Sequence, residues 1–182
     1  MPIRVVIDTS SLISYLLSGG KIMRSIIVAW REAEISLLFS PQTLAELSSV
    51  VTRPEIQHFT AIPLASLVDG LSQYAIHVPG TLQFAGACRD SKDDKFLSCA
   101  VEGQAAYLIS SDRDLLEMGK YQDVCILNPG QFLAALQLAK MPIDTLQSQY
   151  SLQVLQTILA ELCLDPDTRQ KLLLVIARLS KE

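Results

Sequence analysis

The sequence predicts an α/β fold, a three-layer α/β/α sandwich built on a central parallel sheet. Two observations carry this. Short β-branched apolar runs alternate with stretches of helical periodicity over the first 139 residues, and that alternation implies parallel strands with helices on both faces. Hydrophobic residues make up 49% of the 182-residue chain and charged residues 19%, ample material for a core and too little charge for a disordered chain.

Ile3–Ile7 is a short apolar run and reads as a buried strand. Asp8-Thr-Ser-Ser follows, rich in residues that cap helices, and Leu12, Ile13, Leu16 and Leu17 then recur at helical spacing up to Gly19-Gly20. Met23, Ile26, Ile27 and Trp30 mark a second helix. Ile35–Phe39 is the next strand, and Ser40-Pro41 opens a helix with apolar Leu44, Leu47, Val50 and Val51. Pro54, Pro63 and Pro79 punctuate a helical stretch, and Tyr74–Val78 reads as a third strand. The spacing then gives a helix from Asp93 to Gly103, a strand over Ala106–Ser110, a short helix over Leu115–Met118 and a strand over Val124–Leu127. A last helix of this domain opens at Pro129 and runs through Leu138.

After Lys140 the strand pattern stops. Leu155, Ile158, Leu159 and Leu162 mark one amphipathic helix, and Leu172, Val175, Ile176 and Leu179 another, with Asp165-Pro166 as a helix start between them. The expected organisation is therefore a domain over residues 1–139 and a helical hairpin over 140–182. Such short helices are marginal alone, so they pack either on the domain or on a second copy, which makes a homodimer an expectation. Apolar runs fall well short of a membrane span and the N-terminus meets a charge early, so a soluble, cytoplasmic protein with no membrane partner is expected. Cys88, Cys99, Cys125 and Cys163 show no Cys-x-x-Cys spacing, and His58 and His77 are the only histidines, which argues against structural zinc. Cys99 and Cys125 lie in apolar stretches and read as core thiols in a reduced protein.

The net charge of −4 at first disfavours a nucleic-acid partner. Its distribution changes the reading. Asp8 directly follows the first strand and Asp112 lies two residues after the strand ending at Ser110, so both sit at the carboxyl edge of the sheet, where such folds bind ligands. Glu46, one and a half turns into its helix, and Asp94, at a helix start, reach the same edge. Clustered carboxylates raise one another's pKa, and a hard divalent cation relieves the conflict. Such a cation turns its bound water into a nucleophile and offsets charge on a phosphate, which is metal-assisted phosphodiester hydrolysis without His, Cys or Lys. Each acid taken singly also reads as a helix cap or a solvated residue. Asp114 is a supporting candidate, and Asp90 and Asp93 carry less weight within a charged loop.

Val6-Ile-Asp-Thr-Ser-Ser-Leu-Ile, Gln42-Thr-Leu-Ala-Glu-Leu, Asp93-Asp-Lys-Phe-Leu-Ser-Cys-Ala and Leu108-Ile-Ser-Ser-Asp-Arg-Asp-Leu-Leu resemble, in order and spacing, the motifs of the PIN-domain family over residues 1–138. Within it they resemble toxin components of bacterial toxin–antitoxin systems. The resemblance implies an α/β/α sandwich and a Mg²⁺- or Mn²⁺-dependent endoribonuclease acting on RNA, with an antitoxin protein as partner. Its metal-binding and catalytic acids fall on Asp8, Glu46, Asp94 and Asp112, with Ser110 in support. Ser10 stands where the family often has Asn, and its hydroxyl can still bond a carboxylate or water. Two other readings stand beside this one. An aspartyl phosphotransfer or phosphatase-like protein would use Asp8 as acceptor, although the Asp-x-Asp of that class is absent. A non-catalytic binding module would keep the acids without turnover.

Overall fold

The computed structural model describes residues 1–57 and 64–181. His58 and Pro63, noted in the sequence, lie outside the described residues. In chain order the elements are β1 (Ile3–Ile7), α1 (Thr9–Ser18), α2 (Lys21–Arg31), β2 (Ile35–Phe39), α3 (Pro41–Val51), α4 (Pro54–Gln57), α5 (Leu64–Tyr74), β3 (Ile76–His77) and α6 (Asp94–Glu102). They continue with β4 (Tyr107–Ile109), α7 (Arg113–Met118), β5 (Lys120–Tyr121), β6 (Val124–Leu127), α8 (Pro129–Lys140), α9 (Ile143–Gln149), α10 (Leu152–Glu161) and α11 (Pro166–Leu179).

The sheet order is β3-β2-β1-β4-β6-β5. All neighbours pair in parallel except β5, which runs antiparallel to β6. From β1 the chain winds outward through β2 and β3, then returns to place β4 on the other side of β1. The order therefore reverses between β1 and β4, and the crevice beyond their carboxyl ends is the switch point where ligands bind in such sheets.

Strand side chains alternate between two apolar layers. Val5, Ile7, Leu37, Phe39, Tyr107 and Ile109 join one core with Leu12 of α1, Ile26 of α2 and Phe132 of α8. Val6, Leu38, Leu108 and Ile126 join the other with Phe96 and Leu97 of α6 and Leu115 of α7. This is the three-layer arrangement the sequence predicts.

The C-terminal helices belong to the first of these cores. Leu155, Leu172 and Val175 are fully buried in it, and Ile158, Leu159, Leu162, Ile176 and Leu179 pack against it. Burying a Leu or Val side chain stabilises by about 1.5–3 kcal/mol, so these helices are held by the chain's own core. The expected hairpin is in fact three helices, because α9 precedes it. Two further ties bind the segment to the sheet. The Tyr107 hydroxyl donates to Asp165 Oδ2 at 2.8 Å and accepts from the Asp165 N–H at 2.9 Å. Cys125 of β6 forms a disulfide with Cys163. This corrects the expectation of a free Cys125 thiol: its inward position on β6 meets the α10–α11 connection. Cys99 is free and buried, as expected. Among the described residues no single helix is long and apolar enough to cross a membrane.

Candidate functional site at the switch point

β1 ends at Ile7, and Asp8 begins the turn into α1 as its N-cap. Its carboxylate is 2% exposed and fully engaged. Oδ1 accepts the Ser11 N–H at 2.6 Å, and Oδ2 accepts the hydroxyls of Ser10, at 3.0 Å, and Ser110. Three donors fix its orientation and hold its charge in a buried place.

β4 ends at Ile109, and the buried Ser110 follows. Its hydroxyl donates to Asp8 and accepts the Asp112 N–H at 2.9 Å, tying the ends of β1 and β4 together. Asp112 caps α7 through the Asp114 N–H at 2.7 Å and is exposed to solvent. Asp114 turns to the rim, where its carboxylate pairs with Arg89.

The adjacent acids of the α6 N-terminus part ways. Asp94, buried at 3% exposure, gives both oxygens to backbone: Oδ2 accepts the Gly86 N–H at 2.6 Å and Oδ1 the Cys88 N–H at 2.7 Å. It thereby clamps the segment connecting β3 to α6. One turn on, the Ser98 hydroxyl accepts the Phe84 N–H at 2.9 Å. Another turn on, Glu102 accepts the Gly80 and Thr81 N–H groups at 2.8 and 3.0 Å. Positions four apart share a helix face, so Asp94, Ser98 and Glu102 form one stripe of acceptors that straps residues 80–88 along α6.

Asp93 lies on the other side, toward the switch point. Burial pushes its carboxyl up to about 6; the charges of Asp112, Asp90 and Asp8 add to the rise and Lys95 opposes it. The structure thus brings Asp8, Asp93 and Asp112 into one electrostatic neighbourhood, with Asp94 engaged elsewhere. Glu46 stands next to it, half-buried and ion-paired with Lys95. The signal in the sequence for Asp93 was the acceptor stripe: Asp94 is in phase with Ser98 and Glu102, which leaves Asp93 to face the other way.

The donor set consists of carboxylates and hydroxyls, the hard oxygen ligands that Mg²⁺ and Mn²⁺ take. Burial raises the Asp93 carboxyl most and the charges of Asp112, Asp90 and Asp8 add to it, so a divalent cation here would meet neighbouring negative charge. Among the described residues no three Asp, Glu, His or Cys side chains already converge tightly enough to hold an ion between them. The residues fit the ion in chemistry and charge, and rotation of Asp93 and Asp112 would have to bring them in.

Fold and crevice together define an α/β domain with an acidic site at its topological switch point. Residues 4–114 match the PIN domain family, and the chain belongs to that family. PIN domains are generally nucleases and typically use a divalent metal. An uncharacterized protein of Methanocaldococcus jannaschii is similar to this chain, with 28% identity over 118 residues, or 64% of this chain and 75% of that protein.

Proposed function

We propose that the protein is an endoribonuclease that hydrolyses RNA phosphodiester bonds with Mg²⁺ or Mn²⁺ held by Asp8, Asp93 and Asp112. The observation that carries this is the shared electrostatic neighbourhood of these three acids at the β1–β4 switch point of a PIN domain. Asp93 is preferred here to Asp94, the acid expected from the motifs, because it shares the electrostatic neighbourhood of Asp8 and Asp112 while Asp94 is directed at the Gly86 and Cys88 N–H groups. The bound ion would supply an activated water and offset charge on the phosphate. Ser10 and Ser110 orient Asp8, and Ser110 also sets the backbone position of Asp112. Glu46 acts beside them through Lys95, placing an ammonium at the edge of the site where it can meet a phosphate oxygen.

The finer biological reading is the toxin of a toxin–antitoxin pair, inhibited by an antitoxin protein and working in the cytoplasm. It rests on the resemblance of the motifs. The α10 and α11 stripes on which a homodimer was expected pack into the chain's own core, so a second copy would have to dock on the apolar residues left exposed there, Val154, Leu173 and Leu174. The test of the activity is direct. Purified protein with Mn²⁺ should cleave single-stranded RNA, EDTA should stop it, and Asp8→Asn should abolish it while the chain stays folded. Mn²⁺ should also raise the melting temperature of the wild type and leave that of Asp8→Asn unchanged. A metal response that survives in Asp8→Asn removes Asp8 from the site, and a stable phospho-aspartate would establish the phosphotransfer alternative.

A further inference from the structure

Tyr107 on β4 and Cys125 on β6 are register partners and point into the same core. Both reach the short connection between α10 and α11. Cys125 does so through its disulfide to Cys163, and Tyr107 through its two hydrogen bonds with Asp165. The connection, residues 162–165, thus has two fasteners side by side, and only one of them responds to thiols. We propose that the Cys125–Cys163 pair is a redox latch. Oxidised, it locks α10 and the start of α11 onto the sheet. Reduced by a dithiol, it lets that segment open while the rest of the domain stays folded. This latch is independent of the nuclease reading.

The two sulfurs differ in access. Cys125 is 2% exposed within an apolar core, whereas Cys163 is only partly buried. A reductant's thiolate therefore attacks the Cys163 sulfur. The S–S bond breaks, Cys163 is held in a mixed disulfide with the reductant, and Cys125 leaves with the electron pair and takes up a proton. The second thiol of the reductant then attacks the mixed disulfide, frees Cys163 as a thiol and closes its own disulfide. Two electrons and two protons pass from the dithiol to the protein. A thiolate leaving into an apolar core is disfavoured, so the closed segment resists attack and the open one yields. Opening and reduction favour each other, and that coupling distinguishes a latch from a permanent staple.

The latch has two defined states because no other thiol competes for it. Cys88 and Cys99 are free and buried, and both belong to the core on the other face of the sheet. Neither can reach Cys125 or Cys163 while the sheet is intact. Reduction and reoxidation therefore run between one bonded pair and the same two thiols.

What reduction leaves in place is noncovalent. The Tyr107–Asp165 bonds remain, and so does the packing of Leu155, Ile158, Leu172 and Val175 on the first core. Such a terminal segment opens locally at a lower free energy than the whole domain unfolds. The covalent tie suppresses that opening, because it fixes the point where α10 and α11 meet to a central part of the sheet. In an oxidising compartment the latch is closed, and in a thiol-rich one it is open.

The experiment uses the intact chain without denaturant and dithiothreitol as the dithiol. Alkylation in a denaturing quench should count two thiols before treatment and four after it, and glutathione disulfide should restore the bond. Hydrogen exchange in α10 should quicken on reduction by about tenfold or more beyond any change in β1. Cys163→Ser, at the partly buried end of the pair, should match the reduced wild type and ignore dithiothreitol. Tyr107→Phe, which loses the second fastener, should match the wild type while oxidised and exchange faster than the wild type once reduced. A disulfide that yields only in denaturant, or equal quickening of β1 and α10, overturns the proposal. So does a response of Cys163→Ser to dithiothreitol, or reduced Tyr107→Phe exchanging no faster than the reduced wild type.

Discussion

Asp93 and Asp94 share a helix end, a charge and a peptide bond, yet they do opposite things. Asp94 is satisfied: two short N–H bonds from Gly86 and Cys88 stabilise its carboxylate and order the loop. Asp93 is frustrated: burial and three like charges hold its carboxyl well above the ordinary value. One residue along a helix is a rotation of about 100°, and that rotation separates an acid bonded to the preceding loop from one that faces other carboxylates. A satisfied acid resists change, whereas a frustrated one attracts a cation, and destabilised groups of this kind cluster at working sites.

The contrast is open to attack at four points. The largest expected effect is on turnover. Asp93→Asn should lower Mn²⁺-dependent RNA cleavage by more than about 100-fold, since even groups that only support metal ligands cost 10–100-fold. Its melting temperature in EDTA should equal or exceed that of the wild type; cleavage near the wild-type rate would mean that Asp93 is not a ligand. Next comes stability. Asp94→Asn replaces an acceptor oxygen with an NH₂ group facing a backbone N–H, and urea denaturation should show a loss of about 2–4 kcal/mol. If Asp93→Asn costs as much, the two acids do not differ in the way described.

The third point is pH. The folded chain holds the Asp93 proton more tightly than the unfolded chain does, with its carboxyl raised from 3.8 to about 6. Its contribution to stability is therefore greatest below about pH 4 and is lost as pH rises through 6. In EDTA, wild-type stability relative to Asp93→Asn should fall across that window, and saturating Mn²⁺ should flatten the difference. Parallel pH profiles for the two proteins in EDTA would contradict the frustration. The smallest effect belongs to the middle of the stripe. Ser98→Ala removes one acceptor from the Phe84 N–H and should cost about 1 kcal/mol by thermal melting. A null result there would place the loop's restraint wholly at Asp94 and Glu102.

Much of this arrangement was legible in the residues alone. Ile3–Ile7, Ile35–Phe39 and Val124–Leu127 are strands over the ranges their apolar runs suggest, because a strand buried on both faces leaves a continuous apolar signature. Asp8 and Asp112 were placed correctly at the sheet edge by the same logic, since each follows a strand. What escaped was whatever depended on one residue of phase or on long-range contact. Tyr74–Val78 contains a strand of only Ile76–His77, because pairing with β2 alone sets its length. β5 went unread, being two residues whose pairing with β6 is made by a turn at Gln122, φ 50°. α9 was missed because it has a single fully buried residue, Leu146, and so no periodic stripe. In the Asp93-Asp94 pair the motif match falls on Asp94, with Asp93 given less weight, and only the contacts of the preceding loop separate the surroundings of the two.

Cys125 and Cys163 lie 38 residues apart, and the chain between them carries α8, α9 and α10. A peptide-bond cut anywhere in that interval would leave two fragments still joined through β6. A protease that nicks the α8–α9 or α9–α10 connection would therefore yield a species that migrates as one piece without thiol and as two pieces with it. α11 begins three residues beyond Cys163, outside the ring closed by the disulfide, so fraying from the C-terminus can reach α11 but halts at the covalent tie before it enters α10.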